Sequence, residues 1–164
     1  MKKTINTLLA VAVVAVAMIS CGGTKTKDML AKKWQLSEFK SADFDKQMAD
    51  MKMMADTTKD SAMKAMYAMN LENFPKMMDA MKASTFEYKA DGNFEASIAG
   101  MSEQPMAVKG TWKLSEDSKK LITTDDKQKT DSMNIESVDA EKLVVSTNMG
   151  GTGSAATITF VPAK

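Results

Sequence analysis

Thr85-Phe86-Glu87-Tyr88-Lys89-Ala90-Asp91-Gly92-Asn93-Phe94-Glu95-Ala96-Ser97-Ile98 decides the fold. Phe86, Tyr88 and Ala90 alternate with polar neighbours, and Phe94, Ala96 and Ile98 do the same on the far side of Asp91-Gly92. Side chains of a strand point to opposite faces at every step, so this period of two marks two half-buried strands. Asp-Gly between them supplies the positive-φ pair of a tight turn, which makes the segment an antiparallel hairpin.

The same texture runs on to the C-terminus. Met106, Val108, Gly110, Trp112 and Leu114 share one face of the next strand, with Ala107, Lys109, Thr111 and Lys113 on the other. Shorter runs follow at 121–124, 132–138, 143–147 and 156–161, separated by Glu116-Asp117-Ser118, Asp125-Asp126-Lys127, Asp139-Ala140 and 149–153. An eighth strand lies upstream, over 31–39, where Trp34 and Leu36 alternate with polar residues and Phe39 falls one position out of step. Eight antiparallel strands with one apolar face either stack or close. Closure removes the exposed edges, and the reading here is an eight-stranded antiparallel up-and-down barrel.

Residues 42–83 differ in kind. They contain no glycine, one proline and 10 of the chain's 17 methionines. Phe44, Met48, Met51 and Ala55 lie on one helical face, and Tyr67, Leu71, Phe74, Met78 and Met81 repeat at four-three spacing. Asp56-Thr57-Thr58-Lys59-Asp60 interrupts the two, with Thr57 and Asp60 spaced as a capping box. The expectation is a helical hairpin inserted between the first two strands. Pro75 either opens a third helix or kinks the second.

The N-terminus reads as an address. Lys2 and Lys3 precede an apolar run from Leu8 to Ile19, which is short for a membrane span and suited to a secretory signal. Met18-Ile19-Ser20-Cys21 follows, and it resembles the lipobox of bacterial lipoproteins. That resemblance implies cleavage after residue 20, acylation of Cys21 with chains such as palmitate, a lipidated tether over 21–28 and a folded domain over 29–164. Gly22 follows the cysteine, and by the same resemblance the protein is sorted to the outer membrane, while the short polar tether 22–27, with no acidic export patch, favours facing the periplasm. Without residues 1–20 the net charge changes from +1 to about −1, since Lys2 and Lys3 are lost.

Composition excludes several chemistries. There is no histidine, and all 22 basic residues are lysine. An imidazole general base, a His-ligated metal and a Ser-His or Cys-His pair are therefore impossible. A near-neutral chain without arginine has no footprint for nucleic acid. Asp125-Asp126 reads as turn polarity, and Gly150-Gly151-Thr152-Gly153 lacks the following Lys-Ser/Thr of a phosphate loop. The expectation is a binding protein rather than an enzyme, with no cofactor.

Lys33-Trp34-x-Leu36, Phe86-x-Tyr88-x-x-Asp91-Gly92-x-Phe94 and Gly110-x-Trp112-x-Leu114, taken together, resemble the small lipocalin-like lipoproteins of the calycin type. Lys32 stands where a first-strand Gly-x-Trp would have its glycine. The resemblance implies a barrel that holds a small hydrophobic ligand, and helices between the first two strands as in fatty-acid-binding relatives. The inward aromatic residues Trp34, Phe86, Tyr88, Phe94 and Trp112 are core positions and candidate ligand-lining residues. Met66 and Met78 are candidates from a methionine-rich lid, since methionine faces re-pack around varied apolar partners. Packing alone also explains the methionine stripe. A second reading places Cu(I) on Met48, Met51, Met63, Met66 and Met69, whose Met-x-x-Met spacing sets soft thioethers on one helical side. A third is a filled barrel that serves only as a structural or interaction module for an unidentified protein partner.

Overall fold

The computed structural model describes residues 23–148 and 155–164. The candidate signal segment 1–20, the lipidation candidate Cys21 and the glycine-rich connection at 149–153 lie outside the described residues. Eleven elements follow one another: α1 (Gly23–Leu30), β1 (Lys33–Ser41), α2 (Ala42–Thr57), α3 (Ser61–Met81), β2 (Thr85–Tyr88), β3 (Asn93–Ile98), β4 (Met106–Leu114), β5 (Lys120–Asp125), β6 (Thr130–Val138), β7 (Leu143–Asn148) and β8 (Ala155–Pro162). The strands pair antiparallel in chain order, and β8 returns to β1, which closes the barrel.

The register follows from the alternation. Phe86 faces Trp34 and Ala96, Tyr88 faces Phe94, and Ala96 faces Val108, so the apolar set of each strand points to the same interior. Outside, Glu95 sits across from Glu87 and Lys109, and its carboxylate accepts from Lys89 Nζ at 2.7 Å. That bond, with the charge of Lys109, holds the Glu95 carboxyl below its ordinary range. Bulges interrupt β1 between Leu36 and Glu38 and β6 between Ile135 and Ser137. Each shifts the alternation by one residue. The first explains why Phe39, opposite Ile158, is out of step with Trp34 and Leu36.

One end of the barrel is closed by tight turns and α1. Asp91, Asp117 and Asp139 each accept backbone N–H groups of their own turns, and Gly92 takes the positive φ of 90° that the Asp-Gly turn requires. The residues expected to form a tether instead contain a helix. Leu30 at its end is fully buried, its carbonyl accepts the Trp34 Nε1–H at 3.0 Å, and Lys27 Nζ lies 6.0 Å from the centre of the Trp112 ring. A polar octapeptide becomes helical here because its last residue docks into the barrel floor.

The helical insertion has the expected faces and different caps. Phe44, Met48, Met51, Tyr67, Leu71, Phe74, Met78 and Met81 are half-buried and Ala55 is buried. Asp60 itself caps α3, accepting from the Ala62 and Met63 N–H groups at 2.8 and 3.1 Å. Thr57 belongs to the end of α2, where its hydroxyl donates back to the Met53 carbonyl at 2.8 Å, so there is no capping box. Pro75 lies inside one continuous α3 and starts no third helix. The helix pair returns to the barrel through Ser84, which is buried. Its carbonyl accepts from Leu36 N–H and its hydroxyl from Ala99 N–H. Gly100, at φ +85°, lets the β3–β4 loop lie against α3, since a Cβ there would stand 2.8 Å from Met81 N.

Candidate ligand-binding site

The interior divides by side-chain size. Toward the end closed by α1, Trp34, Tyr88, Phe94, Trp112, Leu121, Leu143, Val145 and Phe160 form one packed cluster with Leu30. Toward the other end the inward positions carry smaller residues, among them Ala96, Val108, Thr123 and Thr147. The space they leave is a cavity of ≈ 780 Å³. Its apolar wall is Phe86, Phe94, Ile98, Met106, Val108 and Met133. That volume suits a single small ligand, and an eight-stranded barrel is just wide enough to hold one.

The mouth is polar. Asp125, Lys127, Lys129, Thr130 and Asp131 line it from the β5–β6 hairpin. Asp125 Oδ1 accepts from Lys127 and Lys129 N–H at 2.9 and 2.8 Å, so that carboxylate shapes the turn, as its sequence neighbourhood implied. Lys129 Nζ stands 3.3 Å from Asp131 Oδ2.

Of the aromatic candidates, Phe86, Tyr88 and Phe94 line the cavity. Trp34 and Trp112 do not. They lie in the packed floor, where Trp112 Nε1–H donates to the Lys89 carbonyl at 2.8 Å and the ring meets Tyr88 edge-on at 5.5 Å. Neither candidate lid residue lines the cavity. Met66 is 45% exposed on α3. Met78 lines a separate hollow of ≈ 680 Å³, between the helix pair and strands β1 and β8, together with Phe39, Phe44 and Phe74. The helices flank the barrel wall there, and Phe44 bridges Phe39 at 5.5 Å and Phe74 at 5.1 Å. The copper candidates divide too: Met48 and Met51 are half-buried on the packing face, whereas Met63, Met66 and Met69 are exposed.

The cavity-lining residues that sequence reasoning missed include Val108, Thr123, Met133, Thr147 and the Asp125–Asp131 rim. They fall on strands whose alternation was legible, but their height in the barrel was not.

No family model matches the chain, and no curated protein matches it. Among solved structures it is similar to a lipocalin-like protein from Bacteroides uniformis ATCC 8492, with a TM-score of 0.45 and 13% identity, over 82% of this chain and 99% of that one. It is also similar to an uncharacterized protein from Bacteroides eggerthii DSM 20697, with a TM-score of 0.45 and 11% identity over the same shares.

Tyr88 is the one buried ionisable side chain in the site, and burial pushes its pKa well above the ordinary tyrosine value. The sign of the effect on stability follows. Below pH ~10 both folded and unfolded chains keep the phenolic proton, and above it the unfolded chain releases the proton first. Stability is therefore expected to fall as pH rises beyond 10. Urea melts at pH 9 and pH 11 should differ more for the native chain than for Tyr88→Phe, and equal differences would contradict the assignment.

Proposed function

We propose that this protein is a lipid-anchored envelope protein that carries a small hydrophobic molecule inside its barrel. The cavity above the aromatic floor carries the reading: it has an apolar wall, opens at one end, and is rimmed by polar groups that stay hydrated when a ligand enters. The anchor rests on Cys21 and its position behind the apolar run. Two signals, such as multiple acyl chains, are needed for firm attachment, at about 0.8 kcal/mol per buried CH₂. The outer membrane, with the domain in the periplasm, is the location that best fits Gly22 after the cysteine.

The test is native mass spectrometry of residues 21–164 carrying Cys21→Ser, purified from periplasm without detergent. An organic adduct of a few hundred daltons (roughly the mass of a drug-sized ligand, as the cavity volume admits), lost on denaturation, is the expected result. A bare mass that stays bare after incubation with envelope lipids would remove the carrier reading.

One observation favours a second reading. Met63, Met66 and Met69 are 43%, 45% and 57% exposed, so packing does not account for three thioethers on one helix. They are soft ligands that suit Cu(I). Met63→Leu with Met66→Leu is expected to leave stability within about 0.5 kcal/mol, as for other surface changes. Stoichiometric Cu(I) uptake by the native chain, abolished in that double variant, would establish copper binding, and no uptake would dismiss it.

A further inference from the structure

Tyr88 and Thr123 carry the two buried hydroxyls on the cavity wall, and neither has a protein partner among the described residues. Tyr88 is 1% exposed and lines the cavity, its ring stacked on Phe94 at 5.7 Å and held edge-on by Trp112. Its hydroxyl takes no hydrogen bond among the described residues, and desolvation is the sole cause of its raised pKa. No fully enclosed side-chain polar atom lacks a partner among those residues. The hydroxyl of Tyr88 therefore keeps part of that residue's small access, and the residue lines the cavity. Thr123, 8% exposed and opposite Trp112, lines the same space with its own hydroxyl unpartnered among the described residues. Both hydroxyls keep some access and can be hydrated in the open cavity, but a ligand that displaced that water without offering an acceptor would leave each unpaired at about 1–3 kcal/mol.

Charge narrows what that acceptor is. The ionisable lining residues other than Tyr88 are Asp125, Asp131, Lys127 and Lys129, all on the β5–β6 hairpin at the rim, where two carboxylates offset two ammonium groups. Below that rim no lysine lines the cavity among the described residues. An anionic head group pressed down to Tyr88 would lose its hydration with no cation to replace it. A neutral acceptor would lose little and gain the O–H donors.

We propose that the cavity selects neutral apolar molecules with a hydrogen-bond acceptor, such as a carbonyl, at the leading end, bound acceptor-first against Tyr88 and Thr123. This rests on the carrier reading and deepens it.

The experiment titrates residues 21–164 (Cys21→Ser), which hold every described element, with 2-undecanone, undecane and decanoate. The comparison is made in the native sequence and in Tyr88→Phe, which keeps the ring and removes one oxygen. In the variant, 2-undecanone should lose about three- to tenfold in affinity relative to undecane, the range expected for one net hydrogen bond. Undecane should bind the variant at least as tightly as the native protein, which also shows that the variant is folded. Decanoate should bind the native protein at least tenfold more weakly than the ketone. Equal behaviour of ketone and alkane in the variant, or decanoate as the tightest of the three, would overturn the acceptor-first selection and leave the carrier intact. Failure of all three probes to bind would take the carrier reading down with it.

Discussion

Gly110→Ala should cost on the order of 3 kcal/mol, a large part of the 5–15 kcal/mol that holds a domain of this kind together. Gly110 sits on β4 between Phe94 of β3 and Asp125 of β5. A methyl group there would overlap the Thr124 carbonyl oxygen and come within 2.8 Å of Asp125 Cα. Both obstacles are backbone, so neither can rotate away as a flexible side chain would. Relief requires β4 and β5 to separate, and in a closed barrel that displacement passes to the other strands. The check is a urea melt beside Thr111→Ala, an exposed neighbour expected to stay within about 0.5 kcal/mol. A Gly110→Ala midpoint equal to that of the native chain would show that the close approach is dispensable.

Trp34→Ala is expected to cost about 3–5 kcal/mol, the usual range for deleting a buried tryptophan. Trp34 is fully buried in the floor, opposite Phe86 on β2 and Pro162 on β8. Its indole N–H also fastens α1 through the Leu30 carbonyl. Trp34→Phe separates the two roles. It retains most of the ring volume, and it frees the Leu30 carbonyl. Amide exchange at 27–30 should then rise in Trp34→Phe while exchange in the β3–β4 pair stays slow. Unchanged protection at 27–30 would mean that Leu30 burial alone seats the helix.

Strand positions were legible because alternation and turn residues are local signals. Phe86, Tyr88, Phe94 and Trp112 all face inward as their period predicts, and even the misplacement of Phe39 showed in the sequence before the bulge explained it. What was not legible is height along the barrel. Strand tilt and stagger decide that Trp112 lies in the floor and Phe86 beside the cavity, and neither quantity is written in a two-residue period. α1 was missed for a related reason: Thr24 to Asp28 offer no apolar stripe, and the helix depends on Leu30 meeting Trp34 across the floor. The half-buried stripe Tyr67, Leu71, Phe74, Met78 and Met81 was read correctly. Met66 lies off it, and its place in a lid rested on composition rather than on that face.

The seam between β1 and β8 sets an order on folding. Gln35 pairs with Val161 and Ser41 with Ala156, so the first strand made is held by the last. Contacts this distant in sequence form slowly, because a long loop must close before they return any energy. Until β8 arrives, a growing chain would present β1 and β7 as open edges. A nascent form halted before residue 155 is thus an aggregation hazard rather than a partial barrel. Loss of the final eight to ten residues would be felt at the opposite end of the sequence, as a first strand with no neighbour on one side.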